Sequence, residues 1–177
     1  FSTADARKLD FQKTTTLAIW FKVSQFTEPW QVLIGKGEQS WKLQRTEERG
    51  TLSAILHTVE SPAGPNQPQP KLASVRVDGR IKVDDGRWHL AVIAFTVAGK
   101  NRPPVVKLVV DGRVDGRSEA QKPFNSDDPI WIAASSDSQA REANATRNFH
   151  GLIDEVIVWH RALDDAELTA LYNAGRP

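Results

Sequence analysis

The chain is 177 residues long, 40% apolar and 25% charged, the balance of an ordinary globular domain with length enough for one substantial core. Lys plus Arg number 23 against 22 Asp plus Glu; the net charge of +1 gives no electrostatic case for nucleic acid or an anionic membrane surface. No apolar run approaches the roughly 20 residues of a membrane-spanning helix. The absence of cysteine removes disulfides and thiolate metal sites.

The strand signals are short and evenly spread, which predicts an all-β protein. Residues 14–23 open the series, with Leu17, Ile19 and Phe21 alternating against Ala18, Trp20 and Lys22. Residues 31–34 form a second strand closed by Gly35-Lys36-Gly37. Strands over 40–45 and 51–57 flank a polar hairpin loop at 46–50. Residues 60–71 hold four of the ten prolines and read as a long exposed loop. Strands at 72–77 and 81–83 surround the Asp78-Gly79 turn. Residues 88–96 are apolar on both faces, the mark of a central, doubly covered strand. Strands at 105–110, 113–118, 130–134 and 152–159 complete the set. Four Asp-Gly-Arg triplets, starting at Asp78, Asp85, Asp111 and Asp115, read as turns in which glycine supplies positive φ. No domain boundary is visible, so residues 1–177 are expected to form one domain. Phe1 at the start, with no methionine anywhere, predicts a processed product or a domain excised from a larger protein.

A short helix ends the chain. Asp164 can serve as N-cap, with Glu167 completing a capping box. Leu168, Leu171 and Tyr172 share one face, and Asn173-Ala174-Gly175 supplies a stop.

Five stretches together resemble the laminin-G-like, concanavalin-A-like jelly-roll family. Residues 149–175 carry its closing pattern, G-x-I-D-E-V followed by R-A-L and then E-x-x-x-L-Y-N-x-G. Thr16-Leu-Ala-Ile-Trp-Phe-Lys22 is similar to its early strand. Asp84-Asp-Gly-Arg-Trp-His-Leu-Ala-Val92 is similar to its D-G-x-W-H-x-V-A segment. Leu108-Val-Val-Asp-Gly-Arg113 is similar to its L-Y-V-D-G turn, and Ile130-Trp-Ile-Ala-Ala134 to a late strand. The chain departs from the pattern at Ala133, where the family usually has Gly, and at Ile157, a position more often polar. The resemblance implies a jelly-roll β-sandwich of two antiparallel sheets with one short C-terminal helix. It also implies an extracellular, periplasmic or cell-surface setting and a binding module rather than a catalyst. Either a carbohydrate or a protein is the expected partner.

The resemblance extends to glucanases, which share the fold and hydrolyse with paired carboxylates. A retaining glycosidase needs two carboxylates on one face, roughly 5–5.5 Å apart. No strand here spaces carboxylates that way, and Asp154-Glu155 are adjacent, so on a regular strand they diverge. No histidine pair has metal-ligand spacing. The resemblance implies a structural calcium ion with Asp154 as first candidate ligand and Asp127, Asp128 and Asp137 as further oxygen donors; the alternative is that Asp154 accepts loop amides. His89 is expected to bond a backbone carbonyl.

The six tryptophans carry the functional expectation. A flat C–H face of a sugar stacks on an indole while its hydroxyls seek polar neighbours. By alternation Trp131 faces away from Ile130 and Ile132, Trp41 opposes Lys42, and Trp20 opposes Ile19 and Phe21. Trp41, Trp131, Trp20 and His57 are therefore the expected sugar contacts, with loops around 60–71, 98–104 and 135–148 as the rim. Trp30 is placed at a loop tip; Trp88 and Trp159 are expected to pack within the fold.

Overall fold

A computed structural model of the chain describes residues 9–11, 13–135 and 147–175. The strands are β1 Thr15–Lys22, β2 Val32–Lys36, β3 Trp41–Arg45, β4 Leu52–Ser61, β5 Lys71–Asp78, β6 Trp88–Thr96, β7 Val105–Val110, β8 Arg113–Glu119, β9 Ile130–Ile132 and β10 Leu152–Trp159, followed by the helix α1 Asp165–Ala174. They form two five-stranded antiparallel sheets, β10-β1-β6-β7-β8 and β5-β4-β3-β2-β9, called here the β6 sheet and the β3 sheet after their middle strands. This is the expected sandwich, and β6, apolar on both faces, does occupy the middle of its sheet.

Alternation explains the two layers of core. Inward residues of both sheets, among them Leu17, Ile19, Phe21, Leu43, Leu56, Ile93, Phe95 and Leu108, form the central cluster. The intervening residues of the β6 sheet, Ala18, Trp20, Leu90, Val92 and Val109, form a second cluster on its outer face. That cluster is closed by Leu163 and Leu168, with Trp88, Trp159, Leu171 and Tyr172 packed around it. The helix therefore lies across the outer face of the β6 sheet, with the predicted face inward. Its capping box forms as expected: Glu167 N–H donates to Asp164 Oδ1 at 2.8 Å, and Asp164 N–H donates to Glu167 Oε2 at 2.9 Å.

Three local expectations change. Residues 81–83 are not a strand but the middle of the loop between β5 and β6, where Val83 is buried and its N–H donates to Gly50 O at 2.9 Å. β4 runs on to Ser61, so the proline-rich connection is shorter than expected. The Asp-Gly-Arg triplets also divide by role. Gly86 and Gly112 have positive φ, +76° and +73°. Gly116 is needed for a close approach instead, since a Cβ there would stand 2.7 Å from Val77 Cγ1. The Asp115 carboxylate accepts the N–H groups of Arg80 and Ile81, so two triplets interlock in space.

Ala133 has φ +59°, the left-handed geometry that explains why glycine is usual there. β10 carries a bulge where Ala18 pairs with Ile157 but Trp20 pairs with Asp154, and Glu155 takes φ +45° within it. Ile157 is thereby set opposite Ala18 in the helix-covered layer.

Candidate functional site

Two of the expected sugar contacts are corrected by burial. Trp41 is fully buried in the central core: its ring stacks on Phe11 at 5.0 Å, and its Nε1–H donates to Leu9 O at 3.1 Å. Alternation does set it opposite Lys42, but on the inward side, because Leu43 shares its face. Trp20 points away from Ile19 and Phe21 as expected, yet α1 covers it and Tyr172 stacks on it at 5.7 Å. Neither indole has a face free to receive a sugar.

Trp131 and His57 lie on the outer face of the β3 sheet. Trp131 pairs with Gly35 while Ile130 and Ile132 pack on the core. The β2 and β3 strands lie between Trp131 and the β4 residue His57, a separation of about 14 Å at about 4.8 Å per strand. Lys42 stands between them, ion-paired with Glu38, whose other oxygen accepts Ser135 Oγ–H at 3.1 Å. Burial, and then the charge of Lys42, push His57 below its ordinary pKa.

Asp154 is exposed on the β10 bulge and its Oδ1 accepts the Glu155 N–H at 2.9 Å, an amide-accepting role of the kind expected as the alternative to calcium. Among the described residues no group of three or more His, Asp or Glu side chains is arranged to hold a metal ion. A calcium site needs six to eight oxygens, and the described residues around Asp154 do not by themselves supply such a set. Asp137 and most of the expected rim over 135–148 lie outside the described residues.

The remaining tryptophans separate by what covers them. Trp159 packs in the helix-covered cluster, and the guanidinium of Arg76 lies over the Trp30 ring at 4.8 Å. Trp88 is half-buried and lines an open cleft together with Lys22, Asp85, Gly86, Arg87, His89, Asp111 and Tyr172. The cleft holds about 870 Å³, open solvent included, a size suited to a small ligand. A second hollow, lined by Arg102, Pro103, Val105, Arg117, Ser118 and Glu119, has no aromatic wall.

Two strands, the helix, a loop and a turn build the cleft. β1 and β6 are in register at Lys22 and Trp88, so the ammonium stem and the indole stand side by side on the outer face. The C-terminal end of α1 brings Tyr172. The loop before β6 and the β7–β8 turn bring Asp85 and Asp111. The helix is held close to that turn at Gly112, where a Cβ would lie 3.0 Å from Thr169 Cα.

The cleft floor is His89. Its Nδ1 faces Asp111 Oδ2 at 2.8 Å and its Nε2 faces Asp85 Oδ1 at 3.0 Å. Carboxylate oxygens only accept, so both contacts are hydrogen bonds together only when the ring carries two protons. Burial is the largest single influence on His89 and opposes its charge. The hydrogen bonds and charges of Asp111 and Asp85 together outweigh it, and its pKa is raised. The His89 hydrogen bond, followed by the Arg87 amide, lowers that of Asp85. His89 thus has carboxylate partners, not the expected backbone carbonyl. The signal was present in the sequence as Asp85 four residues before His89, but nothing local announces Asp111, 22 residues on.

Solved structures share this fold at low identity. The botulinum neurotoxin serotype C1 binding domain matches with TM-score 0.63 and 8% identity over 97% of this chain and 39% of its own. A protein from Bacteroides ovatus provisionally assigned to carbohydrate binding matches with TM-score 0.62 and 18% identity over 89% of this chain and 40% of its own. A heptameric SAP-like pentraxin from Limulus polyphemus matches with TM-score 0.58 and 14% identity over 90% of this chain and 70% of its own. The chain therefore spans about two fifths of the toxin domain and of the Bacteroides protein. No curated protein sequence matches it. With the two-sheet sandwich in place and the Laminin_G_3 family model matching residues 1–169, the chain belongs to the concanavalin A-like lectin/glucanase superfamily.

Proposed function

We propose that the chain is a non-catalytic carbohydrate-binding module of a larger secreted or cell-surface protein, and that the sugar sits in the cleft between Trp88 and Tyr172. The observation that carries this reading is the pairing, in one open concavity, of two half-buried aromatic rings with hydrogen-bonding groups on Lys22, Asp85 and Arg87. The rings offer an apolar wall for a sugar face and the polar groups offer partners for its hydroxyls. Structures of similar fold give context: one records botulinum neurotoxin type C interacting with two ganglioside molecules. A role without catalysis is supported by the state of the cleft carboxylates. Asp85 and Asp111 both bond His89, which leaves no free acid and nucleophile facing one another.

A second reading puts the sugar on the outer face of the β3 sheet, where Trp131 and His57 flank the Lys42–Glu38 pair. A protein partner is the rival of a different class. A glycan array with calcium and again with a chelator separates these, followed by Trp88→Ala and Trp131→Ala with thermal unfolding measured on the same samples. The cleft reading expects sugar binding that Trp88→Ala weakens by about 1–3 kcal/mol, by analogy with bases stacked on aromatic rings, and that Trp131→Ala leaves alone. The reverse pattern selects the β3 sheet. A clean negative on the array in both conditions sinks the carbohydrate reading and favours a protein partner.

A further inference from the structure

The charges in the cleft are unevenly committed. Asp111 Oδ1 accepts the Leu90 N–H at 3.0 Å and its Oδ2 faces His89. Asp85 Oδ1 takes both the Arg87 N–H at 2.9 Å and His89, and its Oδ2 stands 3.7 Å from Arg87 Nε. Both carboxylates are therefore occupied in building the floor. The cations are not. The Arg87 side chain is 83% exposed and, among the described residues, has only that long contact with Asp85. The Lys22 ammonium makes no hydrogen bond or ion pair with any described residue.

Lys22 is also held where an ammonium can act. It is half-buried at the end of β1, flanked across the sheet by Trp88 on β6 and Leu152 on β10. It lines the cleft beside Trp88, and a lysine so placed can lay its alkyl stem on apolar surface and keep its charged head in solvent. With His89 protonated, the lining carries three cations, Lys22, Arg87 and His89, against the two carboxylates. An unshared ammonium beside a half-covered indole matches a ligand that is flat and apolar on one face and negatively charged at its rim.

Resting on the reading of this cleft as the sugar site, we infer that its ligand is an acidic sugar, with the ring against Trp88 and its anionic substituent, carboxylate or sulfate, on the Lys22 ammonium. Arg87 lies on the same rim and adds to the field. Asp85 and Asp111 do not repel the anion strongly, because His89 stands between them and is hydrogen-bonded to both.

The test is calorimetric titration of the intact chain, at mildly acidic pH and low salt, with three matched disaccharides: a glucuronate-terminated one, an O-sulfated one and their neutral parent. The expected result is that at least one acidic member binds about tenfold tighter than the parent, the scale of one ammonium–anion contact at a partly screened surface. That preference is erased in Lys22→Gln, eroded as salt is raised, and kept in Lys71→Gln, an exposed lysine on β5 of the opposite sheet. Preference for the glucuronate alone identifies carboxylate as the source of the charge; preference for the sulfated sugar alone identifies sulfate. If the three sugars bind alike and Trp88→Ala weakens all of them, the sugar site stands and the acidic specificity is overturned. A preference that survives Lys22→Gln overturns the role of Lys22. If none of the three binds, the sugar reading falls, and this inference with it.

Discussion

His89 shows how much a single side chain depends on its surroundings. Its proton is retained by two carboxylates from different turns, so its folded-state pKa lies above the ordinary 6.5. The stabilisation it gives is therefore fully present below 6.5 and is lost as pH rises through the raised value. Asp85, whose pKa is lowered, contributes above its ordinary 3.8 and loses that contribution as pH falls through the lowered value. The clasp is strongest between those limits. His57 has the opposite sign, because burial and Lys42 favour its neutral form, and its contribution is lost as pH falls. Replacing only His89 separates the two. We expect His89→Gln to lower the denaturant midpoint most on the acid side of neutrality, with the gap to the native sequence closing as pH rises. A gap constant from mildly acidic to alkaline pH would exclude the doubly bonded imidazolium.

At the scale of the element, α1 acts as the lid on the outer face of the β6 sheet. Its single buried residue is Leu168, so a 10-residue helix is held by a narrow contact and by its caps. The bond to Arg161, and then the Asp164 amide, draw Glu167 down to about 2, which keeps the box intact until strongly acidic pH. Asp164→Ala removes the N-cap acceptor and is expected to cost about 1 kcal/mol, read as a lowered thermal midpoint. Because Tyr172 belongs to the same helix and to the cleft wall, sugar affinity should fall in parallel. A full loss of stability with unchanged affinity would show that the wall does not depend on the cap. The β7–β8 turn is the facing element: Gly112 lets the helix approach, and Thr169 Oγ1–H donates to Gly112 O at 3.3 Å.

At the scale of the molecule, the segment before β1 closes one end of the sandwich. Phe11 stacks between Trp41 at 5.0 Å and Phe95 at 6.3 Å, and its N–H donates to Asn125 Oδ1 at 3.1 Å. Beside it, Lys36 enters the interior with its side chain fully buried and pairs with Asp10, which is 15% exposed. Removing one partner of a buried pair leaves an uncompensated charge, so Asp10→Ala is expected to cost about 3–5 kcal/mol. The double variant Asp10→Ala with Lys36→Met should recover most of that loss in chemical denaturation. Failure to recover would mean that the segment is held by Phe11 and Leu9 rather than by the ion pair.

The strands, the central position of β6, the capped helix and the family were legible in the chain itself. The family rests on motif resemblance, and the other three on local physics: the period-two alternation of apolar residues, doubly apolar composition over 88–96, and the spacing of Asp164 from Glu167. The cleft was not legible. Alternation shows which residues leave the core side of a sheet, but not whether a helix, a guanidinium or solvent then covers them. Trp20 ended beneath α1, Trp30 beneath Arg76, and Trp88 at an open wall. Strand register across the β6 sheet set Lys22 beside Trp88, and the meeting of two distant turns set Asp85 and Asp111 around His89. Those juxtapositions join residues far apart in the chain, so only the packed tertiary structure could decide them.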